Sequence, residues 1–173
     1  CWRSTGWCAT GMRRTRQRMG EAYFYHLTRS APEATVQALA VKSLAAGWRV
    51  AVRARSEGLL ARLDDLLWLR PEDGFLPHGR AGGQHDAMQP VLLTTGPDAP
   101  NRADCVIALE GAEISAEEVR AQARVCILFD GNDEAALTQA RGQWKALTGA
   151  GCGAQYWSEE TGNWQKKAER PAS

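Results

Sequence analysis

The sequence has few of the residues from which metal sites and disulfide frameworks are built. It contains only three histidines and five cysteines, and no pair of these residues has the spacing of a zinc site. The cysteines are odd in number, form no C-x-x-C pair and lie mostly in apolar runs such as DCVIAL and RVCILF. This pattern favours free, buried thiols in a reducing compartment. We therefore expect a cytoplasmic protein without a metal.

Long apolar runs are also missing. No stretch approaches the roughly 18 apolar residues that span a bilayer, and residues 1–18 lack the apolar middle of a secretory signal.

Residues 1–18 hold five arginines and no acid, whereas the whole chain has a net charge of +1, so residues 19–173 carry −4. A body of that sign does not bind nucleic acid by bulk charge, and a DNA contact has to be local or indirect.

The first eighteen residues show no periodicity and precede a convincing strand. We interpret residues 1–18 as a disordered extension or a mis-assigned start, with Met19 as the true first residue. The alternative is a basic arm that touches nucleic acid or membrane.

Apolar strands alternate with amphipathic helices along the rest of the chain. Strands are predicted at 22–27, 48–54, 90–96, 104–111, 124–131 and, as a final edge strand, 153–159. Helices are predicted from Pro32 to Gly47, from Ser56 to Arg70, over 114–123 and over 132–151. This order predicts one α/β domain over 19–157, with an open, mostly parallel, doubly wound, Rossmann-like sheet and helices on both faces. Residues 158–173 are interpreted as a polar tail.

The glycine patterns of nucleotide sites are absent. The turn after the first strand, TRSAPE, has no glycine, and neither G-x-G-x-x-G nor G-x-x-x-x-G-K-[ST] occurs. The glycine-rich stretch at 79–83 follows a coil and leads into a strand, which is the wrong context for phosphate. We expect no cofactor and no intrinsic catalysis, and keep a small nucleotide-dependent enzyme on a Rossmann-like fold as the alternative.

Large aromatic residues stand in polar surroundings within RLDDLLWLRPEDGFLPHGRAG, residues 62–82. Trp68 ends a helix and Phe75 lies in a turn that Pro71 and Pro77 restrict. A loop restricted in this way loses little entropy when a partner docks. The stretch is therefore either an interaction surface or a plug of the protein's own core.

A second group of this kind occurs on the last predicted helix. Arg141 and Lys145 are four residues apart and share a face with Trp144. Two cations beside a flat apolar ring can hold a ligand that has a carboxylate and an apolar side chain. The alternative is an ordinary solvated face with Trp144 turned inward.

The segments AYFYHL, GWRVAV, RLDDLLWLRPEDGFLPH and ARGQWKA together resemble the chi subunit of bacterial DNA polymerase III holoenzyme. The resemblance covers about residues 19–157. Its most specific motif is matched at eight positions: Leu63, Asp64, Leu67, Trp68, Pro71, Phe75, Pro77 and His78.

The resemblance implies an accessory subunit of the clamp loader that has no catalysis of its own. Such a subunit binds the acidic C-terminal tail of single-stranded-DNA-binding protein, here through Arg141, Trp144 and Lys145, so that DNA is reached only indirectly. Leu137 stands where the family has a further lysine, which implies one cationic contact fewer.

The resemblance also implies a second protein surface, at Trp68 and Phe75, that meets the psi subunit or a helicase. Pro71, Pro77 and His78 are then expected to brace the loop, with His78 acting through a hydrogen bond and not as a catalytic base.

We predict that Phe75→Ala abolishes binding of the psi subunit or helicase and leaves the fold intact. Loss of a buried aromatic anchor costs about 2 kcal/mol or more, roughly thirtyfold in affinity. Circular dichroism and a pulldown on one preparation test this. A variant that unfolds would instead make Phe75 a core residue.

Overall fold

The computed structural model describes residues 20–69 and 76–173. Pro71, Phe75 and the predicted helix end at Arg70 therefore lie outside the described residues, as do the predictions for residues 1–18. The strands are β1 (Glu21–Leu27), β2 (Val50–Arg53), β3 (His78–Arg80), β4 (Val91–Thr94), β5 (Cys105–Ala108), β6 (Arg124–Asp130), β7 (Gly153–Ser158) and β8 (Gln165–Arg170). The helices are α1 (Pro32–Ala45), α2 (Glu57–Leu69), α3 (Ala116–Ala121) and α4 (Glu134–Gly149), with a 3-10 turn at Asp86–Met88.

The strands form one open sheet in the order β3-β4-β2-β5-β6-β1-β7-β8. Every neighbouring pair is parallel except β7 with β8, which is antiparallel. All residues of β2, β4 and β5 are buried, as expected for strands covered on both faces. The predicted open, mostly parallel sheet is confirmed.

Helices cover both faces of this sheet. On one face, Val36 of α1 and Leu63 of α2 pack into a core with β2, β4 and β5. On the other, Val119 of α3 and Leu147 of α4 pack into a second core. Because helices pack on both faces, the sheet is doubly wound. β1 has side chains in both cores because its residues alternate between the faces.

Two strands were not predicted. β3 has three residues, of which only His78 is buried, and it pairs only with β4, so no run of apolar residues indicates it. β8 consists of six exposed residues within the segment interpreted as a tail. The prediction that 153–159 forms the edge strand is wrong, because β8 pairs along β7 and is itself the edge.

The turn between β1 and α1 is closed by the carboxylate of Glu159, which directly follows β7. Its Oε1 accepts hydrogen bonds from the backbone N–H groups of Thr28, Arg29 and Ser30 at 3.0, 2.8 and 2.7 Å. The Ser30 hydroxyl donates to Oε2 at 2.7 Å. Burial alone would raise the pKa of Glu159, but these four hydrogen bonds outweigh it and lower the pKa to about 2.

We predict that Glu159→Gln lowers the free energy of unfolding at neutral pH by about 1–3 kcal/mol, the range for hydrogen bonds to a charged group. The folded-state pKa is depressed, so this stabilisation is complete above the ordinary value of 4.5 and is lost as the pH falls towards about 2. The variant should therefore lose part of the wild type's acid sensitivity in that window. Urea denaturation at neutral pH and at about pH 3 measures both effects.

Glu113→Gln is the matched control, because Glu113 is exposed and its side chain makes no contact that closes a turn. Equal stability of the Glu159 and Glu113 variants at neutral pH would contradict the role given to Glu159.

Candidate functional site

A groove of about 300 Å³ opens between α4 and the end of the sheet. We call it the α4 groove, and it is lined by Arg141, Trp144, Lys145, Leu137, Phe129 and Tyr156. The three residues predicted from helical spacing thus lie together at one site. The Asp133 carboxylate caps the start of α4, accepting from the Ala135 N–H at 2.9 Å, and so sets where the helix begins.

Trp144 forms the wall of the α4 groove and is only partly buried. Its ring meets Phe24 edge-on at 5.3 Å and Tyr156 at 6.3 Å between centroids. Phe129 lies 6.0 Å from the Tyr156 ring and completes the aromatic floor. Trp144 therefore packs inward and faces the groove at the same time, so the two alternatives weighed for it are both partly realised.

The charges at the α4 groove are positive and unpaired. Arg141 and Lys145 are exposed, and neither forms an ion pair with any residue of 20–69 or 76–173. Burial raises the pKa of Tyr156 and the nearby Glu160 raises it further, whereas the positive charge of Arg141 lowers it. The positive charge of Arg141 thus reaches the floor of the groove, but at Tyr156 the negative charge of Glu160 has the larger effect.

Leu137 lines the groove one turn before Arg141 and is partly buried. At the position where the resemblance has a lysine, this chain therefore presents an apolar wall. The groove keeps two cations and gains apolar surface.

Sequence reasoning missed the groove residues that come from the sheet, namely Phe129 of β6, Tyr156 of β7 and Ala168 of β8. The last two face the same side because they pair across β7 and β8. The available signal for Phe129 and Tyr156 was that both are aromatic residues within predicted strands. Ala168 had no signal, because β8 itself was not predicted.

The surface around Trp68 is a second candidate site, separate from the α4 groove. The Trp68 side chain is 55% exposed and its neighbour Leu69 is 79% exposed at the end of α2. The Trp68 ring lies 4.9 Å from the His78 ring. The structure places Trp68 at the surface and not as a plug of the core, while Phe75 falls outside the described residues.

His78 is buried beneath Trp68 at the start of β3. Its Nδ1 lies 2.7 Å from the carbonyl oxygen of Leu76, and its Nε2 lies 3.2 Å from Asp64 Oδ1 of α2. Pro77, between Leu76 and His78, is partly buried. The first contact is a local hydrogen bond, and the second brings the segment that enters β3 close to α2 without forming a hydrogen bond.

Carboxylates of the chain occupy the backbone positions at which such folds bind phosphate. Glu159 fills the β1–α1 turn, and Glu110 accepts from the N–H groups of residues 55–56 at the start of α2, at 3.1 and 2.9 Å. The glycine-rich stretch is closed in the same way, since Asp86 accepts from the N–H groups of residues 82–83 at 2.8 and 2.9 Å. A phosphate at any of these turns would have to displace a carboxylate.

Within residues 20–69 and 76–173, no group of three or more histidine, cysteine or acidic side chains is arranged to hold a metal ion. No helix in this part of the chain has the length and apolarity needed to cross a bilayer.

Residues 19–155 match the family model of the DNA polymerase III chi subunit, HolC. No curated protein matches the chain significantly.

Proposed function

Since the chain belongs to the family of the DNA polymerase III chi subunit, we propose that its α4 groove binds the acidic C-terminal tail of single-stranded-DNA-binding protein. The protein is then a non-catalytic, cytoplasmic adaptor that links this protein to the clamp-loader complex of the polymerase. The observation that carries the proposal is that Arg141 and Lys145, which form no ion pair with any described residue, lie beside an aromatic groove.

The chemistry of the tail fits this groove. The tail, as the resemblance implies, has acidic residues and ends in a phenylalanine carboxylate. The planar guanidinium of Arg141 donates two parallel hydrogen bonds to a carboxylate. Lys145 adds a positive charge one turn, about 6 Å, further along the helix. The apolar floor below them, with Trp144 and Tyr156, has the edge-to-face geometry that receives a terminal ring.

A second partner, the psi subunit or a helicase, is proposed for the surface at Trp68 and Phe75. Trp68 and Leu69 are both exposed apolar residues at the end of α2, and exposed tryptophan is typical of interface anchors. His78 and Pro77 are proposed to hold the adjoining loop, through the contacts with Leu76 and Asp64.

The alternative, a nucleotide-dependent enzyme, is disfavoured by the occupied turns. Glu159, Glu110 and Asp86 use the backbone N–H groups that would otherwise bind phosphate. Binding of a nucleotide at one of these turns would break the protein's own hydrogen bonds to the carboxylate. It would also place the negative phosphate beside the displaced carboxylate.

We predict that Arg141→Ala weakens binding of a short tail peptide by about 1.5–3 kcal/mol, the range for a lost charged hydrogen bond. Lys145→Ala should cost less, because a flexible ammonium is more readily replaced by water. Binding should fall as salt rises, since the ion pairs are partly exposed. Calorimetry with the peptide at two salt concentrations measures all three effects.

Arg62→Ala, which removes an exposed cation from α2 on the other side of the molecule, is the control and should bind like wild type. Equal affinity for wild type and Arg141→Ala, or no loss when the peptide's terminal phenylalanine is removed, would rule out the α4 groove as the tail site.

We predict that Leu137→Lys strengthens tail binding by about 0.5–1 kcal/mol, the upper range for an exposed ion pair. Leu137 lines the groove one turn before Arg141, so a lysine there can extend its ammonium to the rim while its stem keeps the apolar contacts. Leu137→Met, which keeps the apolar stem without the charge, is the matched control. Calorimetry at low salt checks it, and an unchanged or weaker affinity of the lysine variant would contradict the placement of the tail along α4.

A further inference from the structure

A second aromatic groove, of about 370 Å³, lies on the opposite face of the sheet from the α4 groove. It runs between α1 and the β7–β8 hairpin. We call it the α1 groove, and the residues that matter for its chemistry are Tyr25, Ser30, Leu39, Lys42, Trp157 and Trp164.

The two grooves share β7 but use alternate residues of it. Tyr156 faces the α4 groove and Trp157 faces the α1 groove, because successive side chains of a strand point to opposite faces. Trp157 and Trp164 also lie beyond residue 155, where the family match ends. The α1 groove is therefore a different candidate binding site from the proposed tail site.

Flat rings form the surface of the α1 groove. The Trp164 ring meets Tyr25 edge-on, with 5.3 Å between centroids, and the Trp164 side chain is 39% exposed. The indole N–H of Trp157 donates to Gln155 Oε1 at 3.2 Å, so its polar edge is satisfied and its orientation is fixed. Ordered rings that keep part of their surface accessible can stack on another flat group with little loss of side-chain entropy.

Two cations lie near these rings, one at each end of α1. Lys42 is exposed and lines the groove at the end of α1. At the other end, the Arg29 guanidinium lies beside the β7–β8 turn, 3.5 Å from where a Cβ on Gly162 would stand. Neither cation forms an ion pair with any described residue, and no acidic residue lines the groove. Glu159, the nearest carboxylate in sequence to Trp157, is bonded to the β1–α1 turn.

We propose that the α1 groove binds single-stranded nucleic acid, with bases stacked on Trp157 and Trp164 and phosphates paired with Arg29 and Lys42. Stacking rings beside a track of cations is the arrangement that binds single strands without reading their sequence. Ser30 and Lys42 are twelve residues apart on and just before α1, about 18 Å, which accommodates a short run of nucleotides. A duplex does not fit, because its bases present no free faces.

This contact is local, as the charge of −4 on residues 19–173 requires. It adds a direct contact with the strand to the indirect one expected through the tail of single-stranded-DNA-binding protein. The two are independent, since the tail site uses the other face of the sheet.

The test is fluorescence anisotropy of a labelled oligothymidylate titrated with the full chain at low salt. Trp164→Ala should lower the affinity by about fivefold or more, the smaller loss typical of one stacking ring. Trp164→Phe should retain most of the affinity, because it keeps a flat ring. Lys42→Ala should reduce the slope of log affinity against log salt by about 0.7, the value for one phosphate contact on a single strand.

Met88→Ala and Arg62→Ala are the controls, since the first removes an exposed apolar side chain and the second an exposed cation, and neither residue lines the groove. The arginines of residues 1–18 are present in every variant, so they cannot produce a difference between them. Thermal melts of each variant confirm folding, and Trp164→Ala should bind the tail peptide like wild type.

Equal oligonucleotide affinity for wild type, Trp164→Ala and Trp164→Phe would overturn the proposal, and so would an unchanged salt slope for Lys42→Ala. Displacement of the oligonucleotide by the tail peptide would also overturn it, because the two ligands would then share one site. None of these results would affect the test of Arg141 with the tail peptide.

Discussion

The hydrogen bonds that Glu159 accepts from the β1–α1 turn hold together the parts of the chain on which both grooves depend. β7 is far from β1 in sequence, and its residues form one wall of each groove. The carboxylate at its end is bonded to three successive backbone N–H groups and the Ser30 hydroxyl. This fixes α1 and β7 relative to each other, and the positions of Trp157 and Tyr156 follow from it.

The same bonds occupy part of the edge at which sheets of this type usually bind ligands. In open parallel sheets, ligands usually bind at the carboxyl ends of the strands, where helix N-termini offer free N–H groups. Here Glu159 and Glu110 use those groups at α1 and α2. The surfaces that remain accessible for recognition are then the sides of the helices and the β7–β8 hairpin. The fold type alone therefore does not indicate what the protein binds.

Most of the fold was predictable because its central strands are buried and apolar, and because apolar residues recur at helical spacing between them. β6 is almost wholly apolar, and the Ser115 cap of α3, which accepts from the Glu118 N–H at 3.1 Å, is visible in the sequence. β8 was not predictable, because its residues are polar and exposed and its only support is pairing with β7. In the α4 groove, helical spacing predicted the wall that α4 provides. The aromatic floor was not predicted, because it depends on which strands become neighbours in the sheet.

Tyr156, one of the two aromatic residues on the floor of the α4 groove, is positioned by the pairing of β7 with β1. That pairing can form only after most of the chain has been synthesised. Of the strands in the described residues, β1 is synthesised first, yet its two neighbours in the sheet are β6 and β7. Glu21 pairs with Arg124, 103 residues later. At ordinary elongation rates β1 waits about 5–20 s for its first partner. During that time the apolar side chains of Phe24 and Leu27 have no sheet to enter and stay exposed to other apolar surfaces.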